Sequence, residues 1–291
     1  MRFLYTADLH GTIDAFRQLF ELAASSGAEA AVIGGDLLPP GIRISEAISH
    51  QRAFIEHKLR PLLISFKARY PHIAIYLLAG NDDWAGATAL LNGLEHDGLA
   101  YPLHNRVFML RSDLALAGYA CVPLTPYSIK DYERLDSGPP PMYSFAMAYT
   151  SADGQAAKTS FGAMQRLPTI ADELEQLARR SPPAHTIYVC HAPPHNTALD
   201  TVRGKHAGSR AIREFIETYQ PALTLHGHVH EAPETSKCYA EQIGRTWSVN
   251  PGHDRQRFGA VYVDTADIPG SMWHTIYGRL RDRTREVGAK H

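Results

Sequence analysis

The sequence has few cysteines, no long apolar run and no excess of charge of either sign. Its three cysteines, Cys121, Cys190 and Cys238, are odd in number and widely spaced, so they argue against a disulfide framework and favour a reducing, cytoplasmic location. No apolar run is long enough to span a bilayer, and the first residues predict a strand rather than a signal peptide. A net charge of −1 gives no general attraction to nucleic acid or to an anionic membrane.

Histidine, by contrast, is abundant, with 16 among 291 residues, and it is the commonest metal ligand in proteins. The length allows one large α/β domain or two smaller ones. Because no internal repeat and no convincing linker is present, we expect a single domain over residues 1–291. Within it, residues 121–162 are predicted to form an irregular insertion, and the residues from about 278 onward a polar C-terminal tail.

Apolar runs and turn residues alternate along the chain in a pattern typical of an α/β sheet. Strands are predicted at residues 2–7, 29–33, 72–78, 99–103, 106–110, 114–120, 185–190, 221–225, 236–240, 246–249 and 259–263. Helices are predicted at residues 12–25, 45–69, 84–95, 164–180 and 206–218. The second helix is expected to be interrupted near Pro61, and the fourth to carry Leu167 on its apolar face.

Side chains that can bind metal follow several of these strands. Asp36 comes after two glycines, Asn81 and Asp82 follow the next strand, and His191 ends a later one. Sites in open α/β sheets gather at the carboxyl ends of the strands. Each feature also has an ordinary explanation, since Gly-Gly-Asp and Asn-Asp are common turn sequences and a single histidine is usually a surface or core residue.

Two further pairs share the strand-end position. Asp8 and His10 follow the first strand, and His228 and His230 follow the strand at 221–225. Residues two apart in extended backbone project to the same side, so each pair is predicted to present both side chains together.

The strand-end groups comprise two acids, four histidines and one amide: Asp8, His10, Asp36, Asn81, His191, His228 and His230. This set is too large for one tetrahedral ion and suits two ions that share a bridging carboxylate. Two metals about 3.5–4 Å apart suit phosphoester hydrolysis. The mixture of imidazole, carboxylate and amide is compatible with Mn²⁺, Fe or Zn²⁺.

The order Asp-x-His, Gly-Asp, Gly-Asn-Asp, His and Gly-His-x-His resembles that of the calcineurin-like metallophosphoesterases over about residues 2–265. Three segments, Gly-Asn-Asp-Asp, His-Ala-Pro-Pro and Gly-Ser-x-x-Ile-x-x-Phe-Ile, resemble more narrowly the brain-type 239 phosphoesterases. The resemblance implies a four-layer α-β-β-α sandwich of two facing mixed sheets, with the metals above the strand ends. It implies one metal held by Asp8, His10 and His230, a second held by Asn81, His191 and His228, and a bridge at Asp36.

Position 82 departs from the family pattern, in which a histidine usually contacts the phosphoryl group and helps to protonate the leaving oxygen. This chain has Asp82, which we expect to orient Asn81, cap the next helix or reach a metal. The proton-donor role then passes to His195, His206, His253 or water. Each histidine has an alternative role: a surface residue at 195, a helix N-terminal residue at 206 and a loop residue behind the ligands at 253. His226 is expected to orient a ligand.

We therefore expect a phosphoesterase that acts on a phosphodiester or a small phosphorylated metabolite through in-line attack by a metal-bridging hydroxide held against Asp36. The alternatives are a phosphomonoesterase or nucleotide pyrophosphatase on the same site, and a metal-binding scaffold with little turnover. Near-neutral charge argues against a dedicated nuclease. The aromatic side chains of residues 121–162 suit a substrate lid or a subunit arm, which leaves a homo-oligomer open.

Overall fold

A computed structural model describes residues 1–41, 43–140, 143–151, 153–254 and 256–280. Its strands are β1 (Arg2–Thr6), β2 (Ala30–Gly34), β3 (Ala74–Leu78), β4 (Tyr101–Pro102), β5 (Arg106–Arg111), β6 (Leu114–Tyr119), β7 (Val122–Pro123), β8 (Glu133–Arg134), β9 (Tyr149–Thr150), β10 (Ala157–Lys158), β11 (Thr186–Cys190), β12 (Thr201–Val202), β13 (Lys205–His206), β14 (Leu223–Leu225), β15 (Ala240–Ile243), β16 (Thr246–Val249), β17 (Val261–Asp264), β18 (Trp273–His274) and β19 (Gly278–Arg279).

The α-helices are α1 (Ile13–Ser25), α2 (Ile44–Phe54), α3 (Arg60–Arg69), α4 (Ala85–Thr88), α5 (Leu91–His96), α6 (Phe161–Met164), α7 (Ile170–Arg180), α8 (Arg210–Tyr219), α9 (Ala232–Ser236) and α10 (Ile268–Ser271). A π-helical turn (Ile55–Leu59) joins α2 to α3, and a 3₁₀ turn (Pro183–His185) precedes β11. Apart from residues 278–280, the predicted polar tail lies outside the described residues.

Two mixed sheets form the centre of the fold. The first has the strand order β19-β18-β17-β1-β2-β3-β4, in which β1 to β4 run parallel and β17 runs antiparallel to β1. The second has the order β15-β16-β14-β11-β6-β5, in which β16, β14, β11 and β6 run parallel. Parallel strands end at the same edge of their sheet, so the loops that follow them are brought together there.

Side chains alternate between the two faces of each sheet and so define four layers. Leu4 of β1 packs with helices α1, α2 and α3 on the outer face of the first sheet. Its neighbour Phe3 points the other way and packs with Ile187 of β11, which joins the two sheets in a common core. On the outer face of the second sheet, the Tyr188 and Phe215 rings lie 5.0 Å apart, between β11 and α8. The predicted α-β-β-α sandwich is confirmed.

The three cysteines are free thiols. Burial raises the pKa of Cys121 and of Cys190 to about 12, so both behave as small apolar core residues rather than as nucleophiles. Among the described residues, no helix has the length and apolar character that crossing a membrane requires.

One helix prediction was confirmed and another was wrong. The helix predicted over residues 45–69 is interrupted near Pro61, since a π-helical turn separates α2 from α3 and Pro61 lies in the first turn of α3, where a missing N–H is tolerated. The helix predicted at 164–180 is instead two helices. Thr169 caps α7 together with Asp172, and the preceding Leu167 is 38% exposed rather than part of an apolar face.

Two predictions further along the chain were also wrong. The helix predicted from residue 206 begins at Arg210, because the Ser209 side chain accepts a hydrogen bond from the Ile212 N–H and caps the helix there. His206 instead lies in β13. The strand predicted at 236–240 is the end of α9, which stops at Lys237 in a left-handed conformation, followed by β15 from Ala240.

Residues 121–162 contain only short regular elements but are held by buried polar contacts. Asp131 accepts hydrogen bonds from the N–H groups of Ala85 and Ser151. The Lys130 ammonium and the Glu133 carboxylate are both buried and lie 2.7 Å apart. Such a pair is costly to break from one side because the remaining charge has no access to water.

Replacing Lys130 by methionine should therefore lower the free energy of unfolding by about 3–5 kcal/mol at pH 8. Burial already raises the pKa of Glu133 to about 7 from 4.5, against the opposing charge of Lys130. Without that charge the pKa of Glu133 should rise further, so the penalty should be largest well above pH 7 and should shrink as the pH falls toward 7, where the carboxyl takes up a proton in both proteins. Denaturant unfolding at several pH values measures this. The exposed Lys158→Met variant is the control, and equal stabilities of the two variants at pH 8 would contradict the prediction.

Candidate metal centre

Loops from both sheets meet at one point above the strand ends. The Asp8 N–H donates to the Gly35 carbonyl at 2.9 Å, which joins the loops after β1 and β2. The Gly227 N–H donates to the His191 carbonyl at 2.8 Å, which joins the loops after β14 and β11. The His228 N–H donates to Asp8 Oδ1 at 3.0 Å and so links the first sheet to the second. The ligand candidates of both halves are thereby fixed relative to one another.

The backbone at these loops is turned rather than extended. Asp8, His10, Asp36 and His228 have φ angles of 59°, 44°, 49° and 63°. The expectation that each i, i+2 pair projects from extended backbone was therefore wrong, although the side chains do come together. Side chains other than glycine are uncommon in this region and cost about 1–3 kcal/mol each, a strain that is typical of functional sites.

Four of the predicted ligands form one compact group. Ligand atoms of Asp8, His10, Asp36 and His230 all lie within 4.8 Å of one another. His10 Nε2 and His230 Nε2 are 3.2 Å apart, and His230 Nε2 is 3.5 Å from Asp8 Oδ1. Two imidazoles and two carboxylates converging in this way offer nitrogen and oxygen atoms suited to a divalent transition metal.

The remaining predicted ligands are His191, His228 and Asn81, of which His191 lies beside both Asp36 and Asp8. His191 Nε2 is 3.3 Å from Asp36 Oδ2, and the rings of His191 and His228 are 5.4 Å apart. Among the described side chains, the buried atoms His191 Nε2 and Asn81 Oδ1 have no hydrogen-bond partner. An unsatisfied buried polar atom costs about 1–3 kcal/mol, which a bound cation would recover. The donor set therefore fits a second metal at this position.

Asp36 lies close to an imidazole from each of the two predicted ligand sets. Its Oδ2 is 3.3 Å from His191 Nε2 and 3.9 Å from His10 Nε2, and its Oδ1 accepts the Asp82 N–H at 2.8 Å. Burial opposes its ionisation, but the His191 and His10 imidazoles lower the pKa of Asp36 below its usual range. The carboxylate is thus held ionised, within 4 Å of an imidazole from each predicted ligand set.

The buried carboxylates and the burial itself shift the pKa values of the surrounding histidines. Although burial opposes it, Asp36 raises the pKa of His191 to about 9, and Asp8 does the same for His230. Burial and the charge of His191 lower the pKa of His228 to about 4. Cations and protons therefore compete for one strongly negative centre.

Two glycines make room for this arrangement. A Cβ on Gly35 would lie 2.1 Å from His191 Nδ1, and a Cβ on Gly80 would lie 2.2 Å from Asp36 Oδ1. His191 Nδ1 donates to the Gly34 carbonyl at 2.8 Å, which leaves Nε2 as the atom that can bind a metal. His226 is buried, and its Nδ1 contacts the carbonyls of Cys190 and Ala192, on either side of His191.

One supporting residue was missed in the sequence. Asp83 is fully buried and accepts hydrogen bonds from the N–H groups of Leu37, Leu38 and Gly80. It therefore ties the loop that carries Asp36 to the loop that carries Asn81. Its position directly after Asp82 gave no sign of which acid would be buried.

Three proposed catalytic residues are not candidate metal ligands, and they lie in different parts of the site: Asp82, His253 and His195. Asp82 Oδ1 accepts a hydrogen bond from Asn81 Nδ2 at 3.2 Å, and burial and the Asp36 charge raise the pKa of Asp82 to about 6. The ring of His253 lies 5.8 Å from that of His10 and 5.3 Å from that of His230. His195 lies further along the wall of a cleft, 3.7 Å from Asp200.

Two cavities open onto the candidate ligands. The smaller, of about 500 Å³, is lined by His10, Asp82, His230 and His253. The larger, of about 1180 Å³, is lined by Asp36, Asn81, His228 and His230 together with parts of residues 121–162. The metal candidates are therefore open to a substrate from a wide cleft.

A sequence model of one protein family matches most of the chain. The family is described as Calcineurin-like phosphoesterase, and the match covers residues 1–232. The chain belongs to the calcineurin-like phosphoesterase family. Membership supports a hydrolase acting on phosphoesters, and the family resemblance predicted from the spaced motifs is confirmed.

Solved structures share the fold of this calcineurin-like phosphoesterase. The protein TT1561 of Thermus thermophilus is 19% identical, with a TM-score of 0.54 over 91% of this chain and 94% of its own. A dimetal phosphatase from Danio rerio is 12% identical, with a TM-score of 0.50 over 90% of this chain and 92% of its own. A search of curated proteins found no match.

Proposed function

We propose that the chain is a dinuclear-metal-dependent phosphoesterase that hydrolyses a phosphodiester or a small phosphorylated metabolite. The position of Asp36 carries this proposal, because one carboxylate oxygen lies within 4 Å of an imidazole from each of the two ligand groups. One ion would be held by Asp8, His10 and His230, and the other by Asn81, His191 and His228. Asp36 would bind both ions. When bound, two such ions lower the pKa of water and neutralise charge on the phosphoryl oxygens.

The chain's own residues hold these groups in place. The Gly34 carbonyl fixes the ring of His191, and Asp82 accepts a hydrogen bond from the Asn81 amide nitrogen, which leaves Asn81 Oδ1 as the atom available to a metal. His253 lies against the ligand rings and His195 lies in the larger cleft, so each is placed to give a proton to a leaving oxygen on its own side. Asp36, Asn81, Asp82, His195 and His253 remain the proposed catalytic set.

The role of Asp82 can be tested by substitution. Asp82→Ala should lower hydrolysis about tenfold, the usual loss when a residue that orients a ligand is removed. Asp82→His restores an imidazole at the family position, so it should raise the rate for an alkyl ester more than for a nitrophenyl ester, which needs no protonation. Steady-state rates with the two esters measure this. Equal changes for both leaving groups would show that position 82 does not affect protonation.

The proposed activity is tested with metal-stripped protein that is reloaded with Mn²⁺ and assayed on bis(p-nitrophenyl) phosphate and on p-nitrophenyl phosphate. Metal-dependent turnover of the diester supports the proposal. Turnover of the monoester alone would favour the phosphomonoesterase. Binding of two metal equivalents with hydrolysis of neither ester would favour the scaffold, for which the aspartate at position 82 is the supporting observation.

Three further points belong with this proposal. We propose a single domain over residues 1–291, in which the described part of residues 123–143 lines the cleft and acts on the substrate side rather than as a subunit arm. The ions are Mn²⁺, Fe or Zn²⁺, because the ligands combine imidazole, carboxylate and amide. The brain-type 239 branch and the cytoplasmic location stay predictions from the motifs and the free thiols.

A further inference from the structure

The larger cleft carries a cluster of cations that the proposed metal ligands do not use. Arg203, Lys205 and Arg210 line the same cleft as Asp36, Asn81 and His228. Within the described part of the chain, none of the three cationic side chains has an acidic partner or a hydrogen bond. Surface cations without partners beside a candidate active site are available to a substrate anion.

The hairpin that carries two of these cations has a turn with an unusual backbone conformation. Strands β12 and β13 form a hairpin, with Arg203 and Gly204 in its two-residue turn at φ angles of 49° and 75°. A turn with two positive φ values strongly prefers asparagine followed by glycine. Arginine at the first position therefore carries backbone strain, which is typical of functional sites, and this arginine lines the cleft.

A buried carboxylate orients an imidazole beside the cations. Asp200 is fully buried and accepts the Thr197 and Gly208 N–H groups. His206 Nδ1 lies 2.7 Å from Asp200 Oδ1, so Nδ1 carries the hydrogen and Nε2 is the atom left for a ligand. His195 lies against the His206 ring at 5.6 Å.

Acidic groups of the same cleft do not cancel this charge. Asp136 accepts the Arg210 N–H, the Ala211 N–H and the Ser209 hydroxyl, so its carboxylate is committed to the start of α8. Asp36 and Asp82 belong to the metal centre, and Glu231 is the one further acid on the cleft among the described residues. Arg203, Lys205 and Arg210 therefore bring more positive charge to this wall of the cleft than Asp136 removes.

Aromatic rings lie on the wall of the same cleft. Tyr127 and Tyr143 line it with 62% and 42% of their surface exposed. Exposed rings on a polar wall suit stacking against a planar ligand group.

From these features we propose that the cleft holds a subsite for a second phosphate of the substrate, formed by Arg203, Lys205, Arg210 and His206, with tyrosines that receive an attached planar ring. The substrate class is a phosphoester of nucleotide type, with one phosphate at the metal centre and another at the hairpin. The reaction in this inference rests on the proposed function, but binding of phosphate at the subsite does not require hydrolysis.

Anisotropy of a fluorescent nucleoside diphosphate, with metal-stripped protein in a chelator, tests the subsite without turnover. The variant Arg203→Ala/Lys205→Ala should bind at least tenfold more weakly, and Arg203→Lys should recover part of the loss. The control Arg245→Ala/Lys58→Ala removes the same charges from exposed positions away from the cleft and should change binding less than twofold. Equal losses in the two double variants, or no loss in the first, would overturn the subsite.

Competition with inorganic pyrophosphate separates the phosphate and ring contributions. Tyr127→Ala should weaken binding of the nucleoside diphosphate and leave that of pyrophosphate unchanged. Equal weakening of both would overturn the ring platform.

Hydrolysis distinguishes failure of the subsite from failure of the proposed function. In metal-loaded protein, Arg203→Ala/Lys205→Ala should raise KM for an ester with a second phosphate and leave KM for bis(p-nitrophenyl) phosphate unchanged. Anion binding that depends on the hairpin in a protein that hydrolyses no ester would support the subsite and contradict the phosphoesterase. If the protein hydrolyses esters and the double variant changes neither binding nor KM, the result would support the phosphoesterase and contradict the subsite.

Discussion

Replacing Asp36 by asparagine should lower metal-dependent hydrolysis at least a hundredfold and leave the chain with fewer than two bound ions. The amide keeps the size of the carboxylate and its contact with the Asp82 N–H. It loses the negative charge that lies 3.3 Å from His191 Nε2 and 3.9 Å from His10 Nε2. Both ions depend on that charge if Asp36 bridges them, so losses should appear together in metal content and in rate.

The matched control is Asp14→Asn, which removes a carboxylate from the exposed surface of α1. Metal content per chain by mass spectrometry and hydrolysis of an activated diester should be unchanged in this control. Two ions retained by Asp36→Asn would remove the bridging assignment, even if the rate fell.

Gly35→Ala should have an effect of similar size by a different route. The new Cβ would lie 2.1 Å from His191 Nδ1 and 2.6 Å from its Cγ, so the imidazole must leave its position or the loop must move. His191 would then lose its bond to the Gly34 carbonyl, and Nε2 would no longer face Asp36. We expect loss of one metal equivalent, a fall in hydrolysis of about a hundredfold and about 1–3 kcal/mol less stability.

Gly98→Ala separates the clash from the backbone penalty. Gly98 also has a positive φ, 67°, but nothing lies within 4 Å of the Cβ that alanine would add. This control should lose stability and keep its metal. If Gly35→Ala retained two ions and full activity, the close packing of Gly35 on His191 would have no functional role.

The sequence predicted the ligand candidates because each of them directly follows a strand of small and apolar residues. Parallel strands that end at one edge bring Asp8, Asp36 and Asn81 together whatever the details of the loops. What the pattern did not show was the turned backbone at Asp8 and His228, since positive φ at a non-glycine residue is set by contacts between loops. The side chains do lie close together, but they do so from turned backbone and not from the extended backbone that was predicted.

Other features depend on contacts that spacing cannot show. Asp82 and Asp83 are adjacent acids, and only the approach of the loop after β2 decides that Asp83 accepts three backbone N–H groups while Asp82 faces the cleft. The helix start at Ser209 could have been predicted, because serine is a favoured N-cap. The role of His206 could not, because Asp200 must first be buried beside it.

The most direct test of the account is a titration of metal-stripped protein with Mn²⁺ that follows bound metal and hydrolysis of bis(p-nitrophenyl) phosphate together. Six candidate ligands arranged around Asp36 predict that binding saturates at two equivalents per chain, with full activity only when the second site is filled. Saturation at one equivalent, or full activity before the second ion binds, would contradict a dinuclear centre.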